Sequence, residues 1–203
     1  MEIWESWKDH YRKLGFDADQ MCKDGILDEN AYYRSTRKVL FVLKETNNAP
    51  RLNLGNYLKD GPKTQMWHAI ARWAVGILER FPEFNDITPD QMRIALSQVA
   101  VINLKKMTGG AAADISIVGA FALRSRELLR RQVRDVGAQI IIGCGTFEIL
   151  AWLLELDIDP LKPFEKAVYS NQYGAWVAPF RHPNRANNRE SYDSLKRLIL
   201  GID

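Results

Sequence analysis

Four short apolar runs, each followed by polar residues, limit what this chain can fold into. They lie at 38–45 (KVLFVLKE), 98–106 (QVAVINLKK), 138–144 (AQIIIGC) and 174–180 (GAWVAPF), and helical patterns separate them. Short runs rich in Val, Ile and Leu are typical of strands buried on both faces, and strands that alternate with helices form parallel sheets. The pattern predicts an α/β fold: a three-layer sandwich with a central, mostly parallel four-stranded sheet covered by helices.

The chain is long enough for one domain of this kind. It has 203 residues, of which 46% are hydrophobic, so a core can form without disulfides or metals. We predict a single domain over 1–203, in which 1–37 form an N-terminal helical extension packed on the rest. The polar segments 15–37 and 46–63 are expected to be turns and loops, and one long helix is expected over about 116–136.

Cysteine spacing and hydropathy exclude several classes of protein. Cys22 and Cys144 are far apart and form no Cys/His cluster, so they predict neither a zinc site nor an iron–sulfur cluster. We therefore expect no metal and a reduced cytoplasmic location. The N-terminal sequence lacks the apolar stretch of a signal peptide, and no apolar run approaches the ~18 residues of a membrane span, so no membrane partner is expected.

Basic residues are concentrated near the end of the chain. The net charge of +3 is too small to predict a nucleic-acid partner by itself. Arg181, Arg185 and Arg189, however, surround the His182-Pro-Asn sequence and follow the fourth apolar run. This loop is therefore the better candidate for contacting phosphate.

Three of the predicted strands end at residues that can do chemistry. Glu45, Asn103 and His182 stand at or just after the ends of the first, second and fourth strands, and parallel strands bring such ends to one edge. A carboxylate can orient or deprotonate water, an imidazole can hydrogen-bond a developing anion, and an amide can read a base edge. Together these groups suit cleavage of an N-glycosidic bond.

Other catalytic motifs lack support in the sequence. The Gly143-x-Gly145 turn follows a strand, but Glu148 stands where a dinucleotide-binding fingerprint has its third glycine. Neither a Walker A lysine nor a GxSxG nucleophile elbow is present. Dinucleotide binding, P-loop chemistry and serine hydrolysis are therefore disfavoured.

The order of the motifs resembles the uracil-DNA glycosylase superfamily over about residues 38–200. VLFVLKETNNAP resembles its strand and acidic first motif, VAVINLKK its strand ending in a base-reading Asn, DVGAQIIIGCGTFE its third strand, and HPN its HPS motif. The resemblance implies that Glu45 activates water, Asn103 reads the base and His182 stabilises the departing base. It also places Arg185 and Ala186 where the family inserts a side chain into DNA, and implies a monomeric, cofactor-free enzyme that flips a nucleotide out.

The chain departs from the family pattern in its first motif and in its inserting residue. LKETNN replaces the glycine-led GQDP or GMNP types, and Asn47 stands where a tyrosine excludes 5-substituted bases, which predicts a roomier, more polar pocket. Two cysteines cannot supply the four that the iron–sulfur branches require. Ala186 is a poor wedge, so Arg185 is expected to fill the opened stack.

The resulting prediction is a monofunctional DNA glycosylase that releases a flipped deaminated or 5-modified pyrimidine, such as uracil or a hypermodified cytosine, and leaves an abasic site. Its partner would be double- or single-stranded DNA, and hypermodified phage DNA would make it a defence factor. The candidate base-recognition residues are Asn103, Asn47, Lys44, Thr46 and Tyr57; the candidate DNA-binding residues are Arg181, Asn184, Arg185 and Arg189. Two alternatives remain open: a catalytically silent nucleic-acid-binding protein, in which Lys44 and Glu45 form an ion pair, and a nucleotide or nucleoside hydrolase, suggested by the Gly143-x-Gly145 turn.

Overall fold

The computed structural model describes residues 3–110, 112–159, 164–184 and 188–202. The strands are β1 (Gly25–Ile26), β2 (Val39–Leu43), β3 (Ala100–Asn103), β4 (Ile140–Cys144), β5 (Val168–Ser170) and β6 (Ala175–Phe180). The helices are α1 (Ile3–Lys13), α2 (Glu29–Arg34), α3 (Leu54–Leu58), α4 (Gln65–Leu78), α5 (Pro89–Ser97), α6 (Ile115–Arg124), α7 (Arg126–Val136), α8 (Phe147–Leu153) and α9 (Asn188–Leu200). None of the helices in these four ranges is long and apolar enough to cross a membrane.

The strands form one mixed six-stranded sheet in the order β1-β3-β2-β4-β6-β5. The inner strands β3, β2, β4 and β6 are parallel, and they correspond to the four apolar runs. The α/β class is confirmed, but the prediction of a four-stranded sheet is wrong, because β1 and β5 add an antiparallel strand at each edge. Strands of two and three residues are too short to give a readable apolar run.

Side chains of each inner strand alternate between two apolar cores, one on each face of the sheet. In β2, Val39, Phe41 and Leu43 pack with α3, α4, α5 and α9. Leu40 and Val42 face the opposite core, which α1, α6, α7 and α8 complete. Every residue of β2 is buried because helices cover both faces, which explains its uninterrupted apolar sequence.

The segment before residue 38 contributes to the core of the fold. Trp7 and Tyr11 of α1 and Tyr32 of α2 are fully buried against the sheet. The same segment supplies β1, which pairs with β3. Its sequence reads as polar because Asp28 and its neighbours lie outside, where the Asp28 side chain caps α2 by accepting from the Ala31 amide.

Two further local expectations need correction. The segment 46–63 contains the short helix α3, which begins at an Asn53 cap and buries Leu54 and Leu58. The long helix expected over 116–136 is two helices, α6 and α7, separated at Ser125. Ser125 is 1% exposed and its hydroxyl lies 3.0 Å from His10 Nε2, so a buried contact with α1 accompanies the break.

Candidate active site

The order of the inner strands favours a ligand site at their carboxyl ends. From β2 the chain crosses to β3 on one side, and β4 then pairs with the other side of β2. Ligands of open parallel sheets bind where such connections diverge. Glu45 follows β2 at this point, and Gly145 and Thr146 follow β4.

Glu45 forms a buried ion pair with Lys105. The Lys105 ammonium donates to Glu45 Oε2, and the two side chains are 10% and 6% exposed, respectively. The same ammonium lies 3.4 Å from the Thr108 carbonyl oxygen and 5.3 Å from the centre of the Phe121 ring. Glu45 Oε1 accepts no hydrogen bond from any residue within the described ranges. The carboxylate is therefore held through one oxygen.

The backbone determines which lysine meets Glu45. The β2–β3 ladder continues past both strands, because the Leu104 amide donates to Leu43 O at 2.9 Å and the Lys105 amide donates to Lys44 O at 3.0 Å. Lys105 therefore lies beside the residues that follow β2. The pairing of Glu45 with Lys44, considered from the sequence, is replaced by a cross-strand pairing with Lys105.

The Glu45 carboxylate lies directly against Gly109. A Cβ atom at position 109 would be 1.9 Å from Glu45 Oε1 and 2.1 Å from its carboxyl carbon. The Gly109 amide donates to Thr46 O at 2.8 Å, and the Asn48 amide donates to Gly109 O at 3.1 Å. These bonds hold the two loops together, so the carboxylate fits only because position 109 is glycine.

The other residues of the first motif have different environments. Thr46 is buried, with its hydroxyl 2.8 Å from Cys22 Sγ, whereas Asn47 is exposed beside Gly109. Lys44 is half-buried. Tyr57 is half-buried in α3 against the core, and its ring centre lies 5.1 Å from the Lys63 ammonium.

His182 follows β6 at the same edge of the sheet. Its ring is half-buried, and Nδ1 accepts a hydrogen bond of 3.2 Å from the Asn184 amide. A ring nitrogen that accepts has no proton, so this bond assigns the proton of the neutral ring to Nε2. Gly145 has φ +65°, and a Cβ there would be 3.2 Å from His182 Cβ. The second glycine of the Gly-x-Gly turn therefore leaves space for the histidine.

Asn103 takes part in a buried polar cluster on the β1 side of the sheet. The Asp24 carboxylate accepts from the backbone N–H of Asn103 at 2.8 Å and from its side-chain Nδ2 at 3.2 Å. It also accepts from Lys106 Nζ at 2.7 Å and from Gln132 Nε2 at 2.9 Å. Because a carboxylate only accepts, Nδ2 of Asn103 must face Asp24. Asn103 Oδ1 is buried and has no partner in the described part of the chain.

Lys106 is the centre of that cluster. Its side chain is fully buried, and its ammonium also donates to Asn103 O at 2.9 Å and lies 5.0 Å from the Trp7 ring centre. Burial lowers the pKa of Lys106, and the charge of Asp24 opposes that shift. The two adjacent lysines are thus paired with different carboxylates, and both ammoniums lie near aromatic rings of the same core.

The predicted DNA-binding residues lie around the start of α9. Arg181 is exposed and 3.7 Å from Glu190, and Asn184 is also exposed. The Arg189 guanidinium lies 5.2 Å from the Phe84 ring centre. Arg185 and Ala186 lie outside the described residues.

An open cleft lies beside the histidine loop. It has a volume of about 1040 Å³ and extends from the ends of β4 and β6 to α8 and α9. Phe147 and Phe180 give it apolar walls, while Arg181 and Glu148 supply charges of both signs. Gly145 and Arg181, which neighbour His182, line this cleft, whereas Glu45, Asn103 and His182 itself do not.

No protein-family model matches the chain, and no curated protein matches its sequence. Within the part of the chain that the structure describes, no group of three His, Cys, Asp or Glu side chains could hold a metal ion. Cys22 and Cys144 are both free and buried.

Three residues of this edge were not identified from the sequence. Lys105 stands in the polar run that follows β3, but residue type alone does not identify the carboxylate that it meets. Gly109 stands in a Gly-Gly pair that reads as an ordinary turn. Asp24 had no local signal, because its partner Asn103 is 79 residues away.

Proposed function

We propose that this chain is a monofunctional DNA glycosylase that hydrolyses the N-glycosidic bond of a flipped-out pyrimidine. The observation that carries the proposal is the Glu45 carboxylate, which lies just after β2 at the carboxyl edge and is held, among the described residues, through Oε2. His182, on the same edge, supplies a hydrogen-bond donor. A carboxylate for water and a donor for a leaving anion are the two groups that such a hydrolysis needs.

Glu45 and His182 would act on opposite ends of the bond that breaks. With Oε2 held by Lys105, Oε1 of Glu45 can accept from a water molecule and direct it at the sugar C1′. As the bond breaks, negative charge develops on the base, and His182 Nε2–H can donate to it. Water supplies the hydroxyl that remains on C1′, and the base leaves with a proton, so the product is an abasic site.

Recognition of the base would involve the two asparagines. Asn103 Nδ2 is bonded to Asp24, so its unpartnered Oδ1 is the atom suited to accept from an N–H on the base edge. Asn47 is exposed beside Gly109, the residue that lies against the Glu45 carboxylate, and its side chain is smaller than that of tyrosine. This favours a pyrimidine with a substituent at C5, including hypermodified cytosine, as well as uracil.

The test is the release of bases from a panel of DNA substrates. Purified protein is incubated with ordinary, uracil-containing, hydroxymethylated and glucosylated DNA; released bases are identified by mass spectrometry and abasic sites by alkali cleavage. We expect one base to be released with a matching abasic site. His182→Ala should slow this release by a factor on the order of 10²–10³, the usual effect of losing one donor to a developing anion.

A catalytically silent DNA-binding protein is the second candidate. The burial of Glu45 against Lys105 favours it, because an ion pair of this kind can be purely structural. It predicts binding to the same panel without base release or alkali-labile sites. That result would contradict the glycosylase proposal.

The arginines near α9 provide a separate prediction about DNA binding. Replacing both Arg181 and Arg189 with alanine should weaken DNA binding and reduce the slope of log affinity against log salt by about one unit per lost phosphate contact. Fluorescence anisotropy over a salt series measures this slope. Arg93→Ala, which removes an exposed arginine of α5, is the control. An unchanged slope in the double variant would exclude both arginines from the interface.

A further inference from the structure

The ammonium of Lys105 contacts three groups among the described residues. Its partners are Glu45 Oε2, the Thr108 carbonyl oxygen and the face of Phe121. The Phe121 ring in turn stacks on Tyr11, and the two ring centres are 6.0 Å apart. With 10% of its side chain exposed, Lys105 is poorly placed to reach a phosphate, unlike a lysine on the surface.

We propose that Lys105 is a positioning residue for the reaction: it holds the Glu45 carboxylate so that Oε1 faces the attacking water. The inference rests on the proposed function, because it assigns a role within the same site. Glu45 and Lys105 are fixed side by side by the continued β2–β3 ladder, so their contact does not depend on a ligand. Gly109 lies against the same carboxylate, with Oε1 the atom nearest to the position of a Cβ at residue 109.

Lys105 acts through charge and direction. Its ammonium bonds to one carboxylate oxygen and thereby fixes the plane in which the other oxygen lies. The ammonium also balances the negative charge of a carboxylate that is almost fully buried. A misplacement of a reacting group by about 1 Å can slow catalysis on the order of 10²-fold.

The decisive experiment is a double-mutant cycle on the chemical step. Single-turnover base release at saturating DNA is measured for wild type, Lys105→Met, Glu45→Gln and the double variant. Lys105→Met is expected to slow release about 10²-fold. In the Glu45→Gln background the same change should have little further effect, because there is no carboxylate left to position. Equal losses in both backgrounds would overturn the proposal.

DNA affinity separates positioning from phosphate binding. We expect Lys105→Met to leave the dissociation constant and its salt dependence close to those of wild type. Lys59→Met, at an exposed lysine just after α3, is the control for a general change in charge. A smaller salt slope with an unchanged rate of release would make Lys105 a phosphate contact and overturn the positioning role.

Two further measurements complete the test. If Lys105→Met does not fold, as melting would show, Lys105→Leu takes its place in the cycle, because leucine is also neutral and donates no side-chain hydrogen bond. Borohydride trapping of wild type on substrate DNA should give no covalent adduct; an adduct that requires Lys105 would identify a nucleophile and overturn the proposal. If wild type releases no base from any substrate, both the proposed function and this inference fail. If wild type is active and Lys105→Met is equally fast, only the inference fails.

Discussion

Alanine at position 109 is expected to slow base release by a factor on the order of 10²–10⁴, as much as the loss of the Glu45 carboxylate itself, the usual range for a general acid–base group. The methyl group would overlap Glu45 Oε1, which lies 1.9 Å from the ideal Cβ position. The carboxylate is the end of a flexible side chain, so it can move away at little cost to folding. Gly109→Ala should therefore displace the carboxylate from its place without removing it.

Glu45→Gln removes the negative charge of the carboxylate and leaves Gly109 unchanged. The glutamine is nearly isosteric and its amide oxygen can still accept from Lys105, so the fold should be retained. Gly110→Ala is the matched control, because a Cβ at the exposed position 110 meets nothing within 4 Å. Single-turnover kinetics and melting curves are measured for all three variants. If Gly109→Ala released the base as fast as Gly110→Ala, the position of the carboxylate would not matter and the assigned mechanism would be wrong.

Asp24→Ala is expected to destabilise the protein by about 3–5 kcal/mol, because it leaves the Lys106 ammonium buried without its counter-charge. Asn103 and Gln132 lose an acceptor in the same step. For a chain of this length the loss corresponds to a fall in melting temperature of roughly 6–20 °C. Asp9→Ala, which breaks the exposed pair between Asp9 and Arg12, should cost less than about 1 kcal/mol.

The loss from Asp24→Ala should depend on pH. Burial already lowers the pKa of Lys106, and removing Asp24 takes away the charge that opposes this shift. The folded state then binds fewer protons than the unfolded state, so stability should rise with pH toward about 10, the ordinary lysine value. Adding Lys106→Met to Asp24→Ala should recover part of the loss. A melting temperature of Asp24→Ala close to that of Asp9→Ala would contradict this account of the cluster.

The sequence predicted the inner part of the sheet because that part is governed by local pattern. β2, β3 and β4 are buried throughout and β6 is buried in part, so each gives a short apolar run. The capping box of Thr88 and Gln91 at the start of α5 is equally local. The edge strands β1 and β5 depend on pairing with distant residues and could not be read from so few residues.

The sequence predicts which edge of the sheet carries the candidate residues, but it does not predict their side-chain contacts. Parallel topology brings the ends of β2, β3 and β6 to one side, so Glu45, Asn103 and His182 lie along that side. The direction of the Asn103 amide depends on Asp24, and the partner of Glu45 depends on the register between β2 and β3. Register and buried pairing are tertiary properties, and a pattern of residue types does not encode them locally.

The position of β2 between β3 and β4 makes folding depend on contacts between distant parts of the chain. Lys105 and Glu45 are 60 residues apart in sequence, and Gln132 and Asp24 are 108 residues apart. Closing such long loops costs entropy before any contact is gained, so folds of this kind form slowly compared with helical bundles. A growing chain that ends just after Glu45 lacks Lys105 and Gly109, which contact the carboxylate. It also lacks His182. Any activity that needs these contacts therefore requires the finished fold.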